Sequence, residues 1–250
     1  MLNCCQLASC GVCWSMPREP SMASFPHDFA SEFPLATWMG DLVEREIGND
    51  RTTKATLKRL VIPGSHDSAS YSIPNSTPGS AVGKTQNLTI KEQLLSGVRF
   101  LDLRIASSWR DGVNIFHGRL MGCPFEQVLD EIRDFCLEFP KEFVILHVVA
   151  EFGRPFAAED KVTALRLMKS RFGSPSGSIK ERLICKVNTR SELINTPLQE
   201  LIRENGRVCV LLESRIYDDF EVDGVEHNED FVKNQYGFFD SSQWLRDKWQ

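Results

Sequence analysis

Residues 58–67 read Lys-Arg-Leu-Val-Ile-Pro-Gly-Ser-His-Asp, an apolar run that meets a proline and a glycine and is followed by two titratable residues. Because proline and glycine interrupt strands, the pattern predicts a first strand over 58–62 that stops at Pro63. Pockets in parallel α/β sheets form at the carboxyl ends of the strands. We therefore expect His66 and Asp67, just past this end, to lie in a site.

Two more segments with strand character end in polar residues. The second, 98–105, carries Asp102 and Arg104 two positions apart, so both side chains point to one face of an extended strand. The third, 113–116, leads directly into His117. Because burying a single charge is costly, we expect Asp102 and Arg104 to pair with each other or to serve one site with the histidines.

Helical patterns separate these strands. Thr89 is placed to cap a helix that ends at Gly97, and a clearly amphipathic helix follows the third strand. The apolar positions of the second helix are Phe125, Val128, Leu129, Ile132, Phe135, Cys136 and Phe139. Residues 142–150 are apolar on both faces, which predicts a parallel strand covered on each side, with His147 as a core histidine.

The same alternation continues through the second half of the chain. The patterns predict a helix over 157–172, a short helix over 198–204 and a strand over 207–212, with a less regular stretch at 183–187. Strands that alternate with helices predict right-handed βαβ units in a mainly parallel sheet, and hence an α/β fold. A barrel is the natural closure, although we find only about five or six strands where a full barrel has eight.

The composition is that of an ordinary globular protein. The 250 residues are 42% hydrophobic and 25% charged, with a formal net charge of -5. Lysine and arginine are scattered rather than clustered, which argues against nucleic acid as a partner. The longest apolar stretch, 143–150, is far shorter than the roughly twenty residues that span a bilayer.

The first 33 residues are rich in proline without a sustained period, which predicts a flexible leader before a domain over 34–250. Three roles stay open for the leader's cysteines: acylation that tethers the protein to a membrane, metal binding, or none in an unstructured segment. These residues are Cys4, Cys5, Cys10 and Cys13. The later cysteines lie in helical or strand patterns and are interpreted as reduced core thiols, which favours the cytoplasm. We also expect a monomer, which acylation of the leader would attach peripherally to a membrane.

Two histidines and a guanidinium suit the cleavage of a phosphodiester. One histidine can take the proton of the attacking hydroxyl while the other gives a proton to the leaving oxygen. A fixed cation such as Arg104 can stabilise the extra negative charge of the transition state, and Asp67 can hold a histidine in the required tautomer. Arg215, just past the strand that ends at Leu212, is a candidate for contacting a phosphate or a sugar hydroxyl.

Three stretches, 60–68, 97–104 and 116–118, closely resemble in order and spacing the X domain of phosphatidylinositol-specific phospholipases C. They read Leu-Val-Ile-Pro-Gly-Ser-His-Asp-Ser, Gly-Val-Arg-Phe-Leu-Asp-Leu-Arg and Phe-His-Gly. The resemblance extends from about Trp38 to Leu212 and is strongest to stand-alone X-domain proteins and bacterial enzymes. It implies a distorted TIM-type (β/α) barrel, incomplete at the C-terminus in this chain. It also implies that the inositol 2-hydroxyl attacks phosphorus, releasing diacylglycerol and a cyclic inositol phosphate.

The resemblance also implies residue roles. His66 would be the general base, and His117, supported by Asp67, the general acid. Arg104 would stabilise the pentacoordinate phosphate, with Asp102 beside it tuning the attack. Calcium-dependent members carry asparagine after the first histidine and acidic metal ligands around the second strand. Because Asp67 and Arg104 stand at those places, the resemblance implies catalysis without metal or other cofactor, on a phospholipid at a membrane surface.

Two features depart from the family pattern. In bacterial relatives an aspartate from a late strand orients the first histidine, and no segment here matches it, so the sequence leaves His66 without an assigned carboxylate partner. The family's lysine at the end of the fourth strand is also missing, since 148–151 reads Val-Val-Ala-Glu. Two alternatives therefore stay open: a weakly active or inactive module that binds lipid or inositol phosphate, and a phosphodiesterase acting on other glycerophospholipids.

Overall fold

The computed structural model describes the greater part of the chain from residue 34 onward. The described ranges are 34–48, 54–108, 112–173, 182–185, 190–204, 206–213, 216 and 232–234. Three predictions lie outside them: the flexible leader over 1–33, the role of its four cysteines, and the contact made by Arg215. The described residues from Leu35 onward belong to one unit.

Strands and helices alternate along the described residues. The strands are β1 (Gly64–Ser65), β2 (Phe100–Ser108), β3 (Gly112–His117), β4 (Leu120–Pro124), β5 (Val144–Ala150), β6 (Val208–Glu213) and β7 (Val232–Asn234). The α-helices are α1 (Trp38–Gly48), α2 (Ser80–Gly83), α3 (Ile90–Leu95), α4 (Phe125–Glu138), α5 (Ala158–Phe172), α6 (Arg190–Asn195) and α7 (Leu198–Glu204). Short 3-10 helices cover Leu35–Thr37, Leu57–Arg59 and Ser70–Ser72.

The strands form one mixed sheet in the order β4-β3-β2-β5-β6-β7, with β1 added to β2. The pairs β1–β2, β2–β5, β5–β6 and β6–β7 are parallel. The pairs β2–β3 and β3–β4 are antiparallel. The predicted α/β class is therefore confirmed, and the described strands form an open sheet rather than a closed barrel.

The β2–β3–β4 meander adds two antiparallel pairs to the mainly parallel sheet that the sequence predicts. A parallel pair needs a crossover of about a dozen residues or more, and Ser108 and Gly112 are too close in sequence to contain one. The chain therefore turns back along β2. It turns again at Gly118-Arg119, where Gly118 has a φ of 58° and His117 pairs with Leu120. This two-residue hairpin turn uses glycine where φ is positive.

Two strands share one edge of β2. β1 pairs with its first two residues and β3 with its last four, while β5 occupies the opposite edge. Because β1 runs parallel to β2 and β3 runs antiparallel, β1 and β3 end facing each other across a gap. His66 follows β1 and His117 ends β3, so the two histidines meet beside Asp102 and Leu103 in the middle of β2.

The predicted first strand over 58–62 is wrong. Residues Leu57–Arg59 form a 3-10 helix, and pairing with β2 begins only where the Pro63 carbonyl accepts hydrogen bonds from the backbone N–H groups of Arg99 and Phe100. Val61, in the apolar run, is 93% exposed. The run is therefore a connection whose apolar residues are not all in the core, and β1 is the short segment after it.

Apolar side chains cover both faces of the sheet. One cluster lies between the sheet and helices α3, α4 and α5, and it contains every predicted apolar position of α4, with Phe139 partly buried at its edge. Burial of such side chains stabilises the fold by roughly 1.5–3 kcal/mol each. The second cluster lies on the other face, with residues from α1, α6 and α7. No helix in the described ranges is long and apolar enough to cross a membrane.

The two clusters locate the polar pair of β2. Leu101 and Leu103 belong to the first cluster, whereas Phe100 packs on the second. Since side chains alternate along a strand, Asp102 and Arg104 lie on the face opposite α4 and α5. The prediction that both point to one face is confirmed. On this face of β2, Phe100 packs on the second apolar cluster, and the polar residues Asp102 and Arg104 follow it.

A buried ion pair connects the amino-terminal segment to the sheet. Arg99 Nε and Nη2 lie 2.9 and 2.7 Å from Glu142 Oε2, and both residues are at most 1% exposed. Arg99 also donates to the carbonyls of Leu94 and Ala36, and Glu142 accepts from the Gly40 N–H. Each remaining polar atom of the pair thereby meets a backbone group, which offsets much of the cost of burying two charges.

We predict that Arg99→Met destabilises the protein strongly, because Glu142 would remain as an unpaired buried charge. The expected loss is about 3–5 kcal/mol in the free energy of unfolding, measured by urea denaturation. Lys91→Met is the control, since it removes an exposed ion pair of 2.9 Å with Glu138 and should leave the midpoint almost unchanged. Equal midpoints for both variants would contradict a structural role for the buried pair.

Candidate active site

Hydrogen bonds to β2 hold the loop after β1 in place. The Ser68 N–H donates to the Asp102 carbonyl over 2.8 Å, and the Asp102 N–H donates to Ser68 Oγ over 2.9 Å. The His66 carbonyl accepts from Thr85 Oγ1 and Gln86 Nε2. The loop that carries the first histidine is therefore fixed from both sides, by β2 and by the segment after α2.

His66 has a carboxylate partner, which the sequence left unassigned. Its Nδ1 lies 2.8 Å from Asp102 Oδ2. Since a carboxylate only accepts, Nδ1 carries a proton in this contact, and Nε2 is the nitrogen that faces Asp67 across the gap. The hydrogen bond to Asp102 raises the pKa of His66 above its ordinary value, against the opposing effect of burial. The expectation of a missing orienting carboxylate is wrong, because the β1–β2 register brings Asp102 beside the loop.

Asp102 is a buried anion surrounded by donors. Burial alone would raise its pKa, but contacts with His147 and His66 and the charge of Arg104 outweigh that effect and hold the pKa well below its usual range. The Asp67 N–H also approaches Asp102 Oδ2 at 3.3 Å. The carboxylate is 8% exposed and stays ionised, so it can orient His66 as a permanent acceptor.

The Asp67 side chain lies between the two histidines. Its Oδ2 is 3.1 Å from His66 Nε2 and 3.4 Å from His117 Nε2, and its Oδ1 is 2.6 Å from Arg104 Nε. Burial raises the pKa of Asp67, although the neighbouring cations oppose this. Its φ of 45° is the only positive value at a non-glycine position in the described ranges, and such strain often accompanies function.

A carbonyl group of α2 orients His117. His117 Nδ1 lies 2.6 Å from the Gly83 carbonyl oxygen, which can only accept, so Nδ1 carries a proton and Nε2 faces Asp67. A Cβ atom at position 83 would lie 2.1 Å from Cδ1 of Leu120, so any larger residue there would displace the end of that side chain. The short helix α2 therefore supports the second histidine.

Arg104 contacts three acidic side chains. Besides Asp67, its Nε and Nη2 lie 3.4 Å from Asp102 Oδ2, and its Nη1 lies 3.9 Å from Glu151 Oε2. Burial opposes the charged form, but these acids together raise the pKa of Arg104. The guanidinium is therefore a fixed cation in the centre of the site, as the sequence predicted.

Glu151 takes the place of the family's lysine, and the sequence predicts no role for it. Its Oε1 accepts a hydrogen bond of 2.7 Å from the Gly118 N–H, so it holds the turn that follows His117. Burial raises the pKa of Glu151. An acidic residue directly after an apolar strand was the available signal, because a carboxylate in that position needs a donor or a cation nearby.

His66, Asp67 and Asp102 also lie close enough to offer three ligands to a metal ion, with ligand atoms within 4.8 Å of one another. However, the Arg104 guanidinium already lies against both carboxylates. A divalent cation would have to displace this arginine or share the space with its positive charge. The two carboxylates therefore fit the Arg104 guanidinium better than a metal ion. Metal independence stays a prediction.

The described residues thus bring together five of the six predicted site residues, His66, Asp67, Asp102, Arg104 and His117. Comparison with known proteins places this site in a family. Residues 60–174 match the family model described as phosphatidylinositol-specific phospholipase C, X domain.

Human PI-PLC X domain-containing protein 2 is 31% identical over 172 residues, which cover 58% of this chain and 52% of that protein. The 1-phosphatidylinositol phosphodiesterase of Listeria monocytogenes is 31% identical over 118 residues, which cover 43% of this chain and 36% of that protein. The chain thus spans about half or less of the length of these relatives.

Solved bacterial structures share the fold. The phosphatidylinositol-specific phospholipase C from Listeria monocytogenes has a TM-score of 0.53 at 21% identity, covering 72% of this chain and 57% of that one. A double mutant of the Staphylococcus aureus enzyme gives 0.52 at 21%, with 72% and 52% covered. Another S. aureus structure, with a TM-score of 0.50 at 21% identity and with 72% and 53% covered, concerns that enzyme's membrane binding. Residues 60–174 of this chain are therefore an X domain of the phosphatidylinositol-specific phospholipase C type.

Proposed function

We propose that this protein is a phosphoinositide phosphodiesterase that forms a cyclic inositol phosphate and diacylglycerol by acid–base catalysis. One observation supports this most strongly. The Nε2 atoms of His66 and His117 both lie within 3.4 Å of the same oxygen of Asp67. A basic and an acidic nitrogen so close together can serve the attacking and leaving oxygens of one phosphate.

His66 acts as the general base. Its Nδ1–H is held by Asp102, so Nε2 takes the proton of the inositol 2-hydroxyl as that oxygen forms a bond to phosphorus. The substrate hydroxyl replaces Asp67 as the neighbour of Nε2. Stabilisation of the resulting imidazolium by Asp102 follows the logic of a catalytic triad.

His117 acts as the general acid. In its charged form it keeps one proton in the bond to the Gly83 carbonyl and gives the other, from Nε2, to the diacylglycerol oxygen as the P–O bond breaks. Asp67 lies beside this nitrogen before the transfer. The two histidines end the reaction with exchanged protonation states and return to the starting states by proton exchange with water.

Arg104 stabilises the negative charge that builds up on the phosphate. A guanidinium has five N–H donors, so it can retain a carboxylate contact while it meets phosphate oxygens. Three acids around it would repel an anionic substrate if all were ionised. The raised pKa values of Asp67 and Glu151, both caused mainly by burial, reduce that repulsion.

The substrate is a lipid, so the reaction takes place at a membrane surface. A relative from S. aureus is studied for its membrane binding, which supports this part of the proposal. We further propose a cytoplasmic protein that associates with membranes peripherally. Acylation of the amino-terminal cysteines would supply the tether, since stable anchoring takes more than one weak membrane signal.

We predict that His66→Ala and His117→Ala each abolish most of the release of cyclic inositol phosphate from phosphatidylinositol vesicles. General acid or base catalysis contributes typically 10²–10⁴-fold, so losses of about that size are expected. Lys91→Met should retain the wild-type rate, because Lys91 is exposed and has no part in the site.

The alternatives give different results in the same assay. Vesicle binding that survives both substitutions, with no turnover by the wild type, would replace catalysis by a lipid-binding role. Faster turnover of another glycerophospholipid would keep the acid–base chemistry and change the substrate. Equal rates for wild type and both histidine variants would contradict the proposed chemistry.

We predict that Asp102→Asn moves the acidic limb of the pH profile to lower pH. His66 must be neutral to accept a proton, so kcat/KM rises with pH through its pKa, which Asp102 raises. Removing the negative charge lowers that pKa, although Asp67 and Arg104 still face the imidazole. The plateau should fall by up to about 10⁴-fold. An unchanged limb would show that Asp102 does not act on His66.

We predict that Arg104→Lys lowers kcat by roughly 10²–10³-fold, the cost of losing a transition-state donor. Lysine keeps the charge but loses the planar fork. The wild-type rate should be the same with and without a chelator of divalent cations. Loss of wild-type activity in chelator, restored by calcium, would contradict the role given to Arg104 in place of a metal.

A further inference from the structure

One buried histidine in the fold has no part in the mechanism above. His147 lies on β5 and is 8% exposed. The sequence predicts a core residue at this position because its neighbours along the strand are apolar. Its neighbour across the sheet is different: the parallel register of β2 and β5 places His147 directly opposite Asp102.

The two oxygens of Asp102 face different partners. Oδ2 meets His66 Nδ1 at 2.8 Å, and Oδ1 faces His147 Nδ1 at 3.7 Å. The second distance exceeds a hydrogen bond but is within ion-pair reach. Nδ1 is therefore the nitrogen through which His147 faces the carboxylate. His147 and His66 thus approach the same carboxylate from opposite sides.

The surroundings of His147 restrict its ring. Phe100 lies at a ring-centroid distance of 6.1 Å with a tilt of 34°, and Leu211 is its register partner on β6. His147 thus lies between β2, which carries Asp102 and Arg104, and β6, which contributes no described residue to the site. A side chain fixed in this way can in turn fix the plane of the Asp102 carboxylate, on which the direction of the His66 hydrogen bond depends.

We propose that His147 is a positioning residue, which holds the Asp102 carboxylate so that Oδ2 orients His66 for catalysis. The inference rests on the proposed function for its kinetic consequences but not for its structural ones. Among the described residues, the pair Asp102 and His147 supplies His66 with an orienting carboxylate that has a support of its own. His147 does not touch the substrate.

A matched pair of variants tests the proposal. Asparagine places an amide nitrogen where histidine has Nδ1, whereas leucine has similar size and no donor. We expect His147→Leu to lower kcat for phosphatidylinositol by roughly 10- to 100-fold with KM little changed. Losses of this size are typical when a residue that supports the ligands of a metal site is removed, and we expect a similar effect for a residue that supports a catalytic carboxylate. His147→Asn should recover most of that loss. Leu211→Ala is the control, since it alters the packing on the other side of His147.

A second readout does not depend on turnover. In imidazole ¹H–¹⁵N spectra at low temperature, the Nδ1–H signal of His66 should persist in wild type, His147→Asn and Leu211→Ala. It should shift or disappear in His147→Leu. If leucine prevents folding, His147→Val replaces it, because valine is favoured in strands.

The outcomes separate the two proposals. Absence of turnover in the wild type would reject the proposed function, while the spectra would still test His147. Equal rates and spectra for His147→Leu and Leu211→Ala would overturn the positioning role. A loss in His147→Asn as large as in His147→Leu would also overturn it, because packing rather than the donor would then be responsible.

Discussion

The candidate site depends on one buried carboxylate. Asp102 lies in the middle of β2, where strands approach from both edges, and it remains ionised although it is 8% exposed. An isolated anion in that position would be strongly unfavourable. The donors that compensate it come from different parts of the chain: His66 from the loop after β1, Arg104 from β2 itself and His147 from β5. Satisfying one charge therefore assembles the residues that the chemistry needs.

Topology explains why two histidines can meet there. A purely parallel sheet brings strand ends together at one edge, but here β1 and β3 reach the same edge of β2 from opposite directions. The gap between them is narrow enough for one carboxylate, that of Asp67, to contact both imidazoles. The antiparallel hairpin thus has a functional consequence, since it turns His117 towards His66. The glycine at position 118 and the carboxylate of Glu151 hold that turn.

Much of this arrangement could be predicted from the sequence. The period of α4, the apolar strand β5 and the polar pair of β2 all have local signals, and the structure agrees with each. The misses within the site were not local. The partner of His66 depends on the register between β1 and β2, and the contact between Asp102 and His147 on the register between β2 and β5. The residues next to His147 along the chain are apolar, and sequence periodicity does not show which residue lies opposite it on the neighbouring strand. The strand direction of β3 was accessible in principle, since the short connection from β2 excludes a crossover.

The central claim is that His66 is the base for the inositol 2-hydroxyl. The most direct test is a crystal structure of this chain with myo-inositol bound. The 2-hydroxyl should lie within about 2.6–3.2 Å of His66 Nε2, with the 1-hydroxyl, where the phosphate attaches, directed towards Arg104 and His117. An inositol bound with its 2-hydroxyl away from both histidines, or bound outside the gap between β1 and β3, would contradict the claim.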